Sequence, residues 1–223
     1  MEIKFKESLK SYRYLVMFDL ASRITGVCVY DLTNNTPKFT ETIRVKNECE
    51  LPAIELEQKI HEFLSQLPAR LYTTKSQILV CKEAQPVQLR GGNSTISTFI
   101  ALARSHAILD TYLFKNEWPT YDYTGVYPIS WHAYFKKVVN APKDFKVDKQ
   151  VVRDYNMSTF GFKELSLDES DAIFLCKTFI EVKWNNDIDE QVREVKRHKK
   201  TLKAPHAIQA ADDEIERLKQ LKM

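Results

Sequence analysis

The stretch YLVMFDLASRITGVCVY, residues 14–30, decides the fold. Residues 14–18 form one continuous apolar run and 26–30 a second, joined by small and polar residues that turn straight back. That pattern predicts a hairpin of central strands. Residues 38–45, after the turn Asn34-Asn35-Thr36-Pro37, are half-alternating and β-branched, as a third antiparallel strand requires. Working outward, Pro52 opens a helix in which Ile54, Leu56, Ile60, Phe63, Leu64 and Leu67 recur at helical spacing until Pro68. Residues 77–81 are a short apolar run ending at Lys82-Glu83, which suits a buried strand added in parallel. A long helix is expected over about 94–114, a strand over 124–129, helices over 131–139 and 147–155, and a last core helix over about 168–182. The order β-β-β-α-β-α-β-α predicts an α/β fold with a mixed five-stranded sheet, three strands antiparallel and then two parallel, flanked by helices. Residues 1–184 are expected to form that domain, and 185–223 a charged C-terminal arm, partly helical or disordered.

Composition limits the function classes. Lys and Arg number 33 against 30 Asp and Glu, a net charge of +3, so any electrostatic footprint must be local. With 43% hydrophobic residues, 12 Phe and 10 Tyr, the chain is not of the disordered type, and 5 Gly exclude a collagen-like repeat. Four cysteines without a C-x-x-C pair read as free thiols in a reducing cytoplasm. No leader-like segment and no run of 18 apolar residues is found, so neither export nor a membrane partner is expected.

Three places put acids where apolar residues belong. Asp19 closes the first strand, Glu83 closes the fourth, and Asp168 and Asp171 open the last helix at i, i+3. If the fourth strand lies parallel beside the first, Asp19 and Glu83 share one sheet edge, the usual place for a site in an open α/β sheet. The i, i+3 spacing projects Asp168 and Asp171 from one helical face, and the residues that follow point that face inward. A turn residue or a helix-dipole acid would explain each one singly. Four converging carboxylates repel one another unless cations sit among them, and oxygen-rich sites select hard ions such as magnesium or manganese. Such a constellation suits two-metal phosphodiester hydrolysis.

These motifs resemble the RuvC-like Holliday junction resolvases of the RNase H superfamily, especially their bacteriophage branch. The resemblance rests on Asp19-x-Ala-Ser-x-x-Thr-Gly26, on Ile78-Leu-Val-Cys-Lys-Glu83 and on Asp168-Glu-Ser-Asp171-Ala172, and it covers about residues 14–182. It implies an RNase H-like core in which Asp19, Glu83, Asp168 and Asp171 are catalytic and hold two Mg2+ ions, with Mn2+ as a substitute. It further implies Lys149, in Lys149-Gln150-Val151-Val152, as a phosphate contact. Bacterial members carry a wedge aromatic three positions after the glutamate, where this chain has Pro86, which leaves the wedge and strict sequence preference open.

Arg90, beside Gly91-Gly92, and the lysines Lys136 and Lys137 are further candidate DNA contacts, with a mobile loop and a solvated face as the alternatives. The five histidines are scattered without ligand spacing. The implied partner is branched DNA, chiefly four-way junctions. A two-fold symmetric substrate calls for a homodimer, whose candidate interface is the helix over 94–114, where Leu102, Ile108, Leu109 and Leu113 lie beyond the main stripe, with a fully buried core helix as the alternative. Three other readings stand beside this one: a fork or flap nuclease of the same fold, an actin-like or sugar-kinase-like nucleotide-binding protein, and a non-catalytic DNA-binding module.

Overall fold

The computed structural model describes residues 8–46, 48, 50–84, 96–121, 125–142 and 144–222. The chain divides into two compact units, Tyr12–Cys176 and the terminal segments Met1–Ser11 with Lys177–Met223. The division lies ahead of the expected 184/185 boundary, inside one continuous helical run.

The first unit is built on a four-stranded sheet in the order β3-β2-β1-β4. Strand β1 (Tyr14–Asp19) pairs antiparallel with β2 (Ile24–Asp31), β2 antiparallel with β3 (Thr36–Arg44), and β1 parallel with β4 (Ile78–Lys82). The mixed α/β sheet follows the expectation in its first four strands. The expected fifth strand over 124–129 is a correction. Among the described residues it is reduced to two isolated parallel bridges, Val80 to Thr120 and Glu83 to Val126. Pro128, which lacks an N–H for a ladder, instead opens helix α3 (Pro128–Val138).

Strand parity sorts the two faces of the sheet. Tyr14, Val16, Phe18, Val27, Val29, Ile78 and Val80 join one apolar cluster with helix α1 (Pro52–Arg70) and helix α2 (Ile96–Lys115), and Phe18 meets Phe63 edge-on at 6.0 Å. Side chains alternate along a strand, so Met17 and Asp19 of β1, Gly26 and Cys28 of β2, and Cys81 with Glu83 after it turn to the other face. Helix α5 (Leu167–Thr178) packs there, its Cys176 Sγ lying 4.0 Å from the Cys28 carbonyl oxygen. Helix α3 and helix α4 (Lys149–Phe160) lock onto α5 through Phe135, Tyr155 and Phe174, whose rings lie 4.9 to 5.7 Å apart. The α4–α5 seam also holds a buried amide, with Asn156 Nδ2 donating to Ser170 Oγ at 2.9 Å.

Helix α2 corrects one further expectation. Leu109 and Leu113 are buried in the chain's own core, and Leu102 and Ile108 pack against it, so they are not a spare apolar face. The exposed apolar residues of α2 are Ile96, Ile100 and Phe114.

In the second unit a π-helical turn, Phe179–Lys183, leads into helix α6 (Trp184–Lys199), which pairs with helix α7 (Pro205–Gln220) as an antiparallel hairpin. Ile188, Val192 and Val195 are buried on α6, and Ala211, Ile215 and Leu218 on α7. Trp184 Nε1 donates to the Leu221 carbonyl at 2.9 Å, and ion pairs of Lys222 with Asp189 and Lys199 with Asp212 close the hairpin at both ends. No helix among the described residues is long and apolar enough to cross a membrane.

Candidate functional site

The parallel pairing of β1 with β4 sets Phe18 opposite Lys82, so the next residue of each strand, Asp19 and Glu83, emerges side by side on one edge. The Glu83 N–H donates to the Phe18 carbonyl at 2.9 Å, which fixes the glutamate backbone. Gly125 packs directly behind it, since a Cβ there would lie 2.0 Å from the Lys82 carbonyl oxygen. On the other side the link after Asp19 is tied down by Thr25. Its fully buried hydroxyl donates to the Ala21 carbonyl and accepts from the Ala21 N–H, both at 3.3 Å.

Helix α5 delivers the other two acids. Its first turn lies directly over Gly26, where a Cβ would fall 2.1 Å from the Asp168 carbonyl oxygen. A capping box fixes the turn: Ser166 Oγ accepts from the Glu169 N–H at 3.1 Å, and Glu169 Oε2 accepts from the Ser166 N–H at 2.8 Å. Thr42 of β3, paired with Gly26 in the sheet, donates through Oγ1 to Glu169 Oε1 at 3.0 Å. Glu169 therefore anchors the helix, while its neighbours Asp168 and Asp171 are left to face the strand ends. The signal for this lay in the Ser-x-x-Glu spacing of residues 166–169, which the sequence reading passed over.

Lys149 is the first residue of α4, whose N-terminus is capped by the Asp148 carboxylate accepting from the Gln150 N–H at 2.7 Å. The Lys149 ammonium donates to Asp171 Oδ2 at 2.5 Å and lies 3.6 Å from Asp168 Oδ1. Asp171 is 4% exposed at its side chain, and its Oδ1 is buried without a hydrogen-bond partner.

The electrostatics follow from four acids and one ammonium. Burial, reinforced by the charges of Asp19 and Asp171 and a hydrogen bond with Asp19, pushes the Glu83 carboxyl up to about 9. Burial and the Asp171 charge push Asp19 up to about 7, against the opposing pull of Lys149 and of the Glu83 hydrogen bond. Asp171 is raised by burial, with Lys149 opposing. Burial alone would lower Lys149, but the hydrogen bond and charge of Asp171, with Asp19 and Asp168 behind it, outweigh this and raise it. Glu83 and Asp19 are therefore both pushed toward their protonated forms, and Lys149 is the counter-charge of Asp171. His132 on α3 is lowered by burial and by the charges of Lys149 and Lys136, which places both lysines in its electrostatic neighbourhood.

The structure therefore brings Asp19, Glu83, Asp168, Asp171 and Lys149 together. Lys136 and Lys137 lie in the last turn of α3, with Lys137 exposed, and Arg90 falls outside the described residues. Among the described residues, no three His, Cys, Asp or Glu side chains are grouped closely enough to hold a metal ion as they stand. The donor set nonetheless suits a hard divalent cation in kind, being carboxylate oxygens throughout with a buried, unpartnered Asp171 Oδ1 among them. A cavity of about 890 Å3 lies nearby, lined by Cys81, Lys82, His106, Asp110 and Trp118, but none of the four acids lines it.

No protein-family model and no curated protein matches the sequence. Solved structures do match the fold. The structure of T. thermophilus RuvC in complex with a Holliday junction substrate superposes with a TM-score of 0.50 at 15% identity, over 74% of this chain and 91% of that one. A second Thermus thermophilus RuvC structure gives 0.50 at 16% identity, over 74% and 92%. At that identity the likeness shows the fold, a RuvC-like α/β sheet flanked by helices.

Proposed function

We propose that the chain is a magnesium-dependent endodeoxyribonuclease that resolves four-way DNA junctions by paired nicks. The single observation that carries this reading is the meeting of Asp19, Glu83, Asp168 and Asp171 at one sheet edge of a RuvC-like fold, with Lys149 as a close counter-charge. One of the solved structures with this fold is bound to a Holliday junction. Asp19, Glu83, Asp168 and Asp171 would hold two magnesium ions, or manganese in their place, which supply an activated water and stabilisation of the departing 3′ oxygen.

The chain's own residues do the rest. Asp19 and Glu83, whose carboxyls burial raises, would hold the cation in exchange for protons. Glu169 and Gly26 hold α5 so that Asp168 and Asp171 keep their position. Lys149, half-exposed at the end of α4, orients the scissile phosphate by moving from Asp171 to the substrate, and Lys136 and Lys137 extend the positive surface along α3. A junction has two-fold symmetry, so paired nicks require two sites related by a dyad. The proposed homodimer uses the exposed Ile96, Ile100 and Phe114 of α2.

The test is incubation with matched four-way, three-way, flap and linear DNAs, with magnesium or with chelator, and strand analysis on a denaturing gel. Symmetric magnesium-dependent nicks confined to the four-way substrate are expected. Equal cutting of every branched DNA would move the reading to a general branch nuclease. No cutting of any substrate would overturn it.

A further inference from the structure

The tip of the α6–α7 hairpin concentrates the charge of the whole chain. Residues 195–211 contain Lys196, Arg197, Lys199, Lys200 and Lys203, with His198 and His206, and no acid. These five cations, with no acid between them, outnumber the net charge of +3 of the whole chain. Elsewhere in the second unit ion pairs join Lys183 with Asp187, Arg217 with Glu214, Lys219 with Glu216 and Lys222 with Asp189, while Arg193 donates to the Asp189 carbonyl. At the tip only Lys199 forms an ion pair among the described residues, with Asp212. Lys196, Arg197, Lys200 and Lys203 are exposed.

Two features decide what such a surface meets. Lys196, Lys199 and Lys200 lie at i, i+3 and i+4 and share one face, and with Ile215, Lys219 and the paired acids Asp212 and Glu216 they line a groove of about 590 Å3. The helix dipole favours a cation or two in the last turn of α6, but Lys203 lies beyond that helix and cannot serve it. The hairpin also spends its apolar residues on its own interior, and none of the chain's large exposed hydrophobic residues belongs to it. An apolar protein partner would find nothing to bury here, and a lipid surface would be met by charge alone, without the apolar face of an interfacial helix.

We infer that the α6–α7 tip is a second, sequence-independent contact for the phosphate backbone of DNA, separate from the carboxylate site. The choice of DNA over other polyanions rests on the proposed nuclease function; the site itself rests on the charge and its placement.

The experiment uses the full-length chain and a variant carrying Lys196→Gln, Arg197→Gln, Lys200→Gln and Lys203→Gln, which spares the Lys199–Asp212 pair. Binding of labelled four-way junction and of plain duplex is followed by fluorescence anisotropy in chelator between 50 and 200 mM salt, with anionic vesicles as a separate arm. The slope of log affinity against log salt is expected to fall by about 2 to 4, because each phosphate contact contributes about 0.9. Affinity at the lowest salt should drop at least about tenfold, on duplex and junction alike. The single variants Arg197→Gln and Lys203→Gln should each lower the slope by about 1, which keeps the inference testable should the fourfold variant misfold. Unchanged slopes, absence of DNA binding by the parent chain, or binding to vesicles alone would each overturn the inference. Cleavage is scored separately: a parent chain that binds through this tip but cuts nothing would remove the nuclease reading and leave the contact standing.

Discussion

Gly26 and Asp168 touch so closely that a single added carbon would collide, an ideal Cβ on Gly26 lying 2.1 Å from the Asp168 carbonyl oxygen and 2.3 Å from its carbonyl carbon. The obstacle is backbone, which cannot rotate away as a side chain would. Gly26→Ala should therefore lift the first turn of α5 off β2, at a cost of about 3 kcal/mol in urea denaturation. Nuclease activity should fall by more than the lost stability explains, because Asp168 and Asp171 move with the helix. Full activity with unchanged stability would mean that α5 does not seat on this strand.

The coupled carboxyls make a pH prediction whose sign is fixed. Glu83 at about 9 and Asp19 at about 7 stand above their ordinary values of 4.5 and 3.8, so the native state binds protons that the unfolded chain has lost. Stability from these groups is present in full below about pH 4 and is lost as pH rises through 7 and 9. In chelator, the melting temperature should decline from pH 5 to pH 9. Glu83→Gln should flatten that decline and raise the melting temperature at pH 8 by on the order of 5 °C. Parallel curves for parent and variant would show that the two carboxyls do not share a buried proton.

Much of this was legible from the chain, and the reasons differ by element. The runs at 14–18 and 26–30 are buried on both faces, so their apolar continuity marks strands unambiguously, and the acids that end them stand out by contrast. The 124–129 segment has the composition of a strand, but among its described residues Val126 alone is in bridge geometry before Pro128 turns the chain into α3; composition does not report how long a pairing lasts. Leu109 and Leu113 show the matching limit for helices. An apolar residue outside the main stripe reads as spare surface until the position of α1, a tertiary fact, buries it. Glu169 was hidden for a third reason: between two acids of the same motif, only its hydrogen bonds to Ser166 and Thr42 distinguish an anchor from a ligand.

Asp19→Asn should abolish cleavage while junction binding in chelator stays within about twofold, since the change removes a carboxylate and leaves the basic surfaces untouched. The neutral amide should also stabilise the metal-free protein at pH 8, by removing the burial cost of the charged carboxylate and, secondarily, the repulsion that Asp171 and Asp168 exert on it. Retained cleavage would take Asp19 out of the chemistry.

Glu169 can be separated from its catalytic neighbours by substitution. Glu169→Ala removes both the capping box and the bond to Thr42, and should cost about 2 kcal/mol with a drop in kcat. Glu169→Gln preserves the capping geometry and should retain most activity, whereas Asp168→Asn should not. A double-mutant cycle with Thr42→Val should return a coupling of about 1 kcal/mol. Equal losses for Asp168→Asn and Glu169→Gln would place Glu169 among the ligands instead.

Lys149 gives the sharpest contrast, because its two proposed roles pull in opposite directions. Its ammonium sits 2.5 Å from Asp171 Oδ2 and 3.6 Å from Asp168 Oδ1, so it competes with any cation for the same carboxylates. Lys149→Met removes that competitor from a site where Coulomb interactions are weakly screened, and divalent-cation affinity, read by calorimetry on the Glu83-intact protein, should rise severalfold. Cleavage should nonetheless fall by about 10-fold or more, because the lysine no longer meets the phosphate. A purely structural lysine predicts otherwise: with Asp171 left buried and uncompensated, both cation affinity and folding stability would fall together. The sign of the change in cation affinity therefore distinguishes a lysine that yields its place at Asp171 from one that holds the helix pair together.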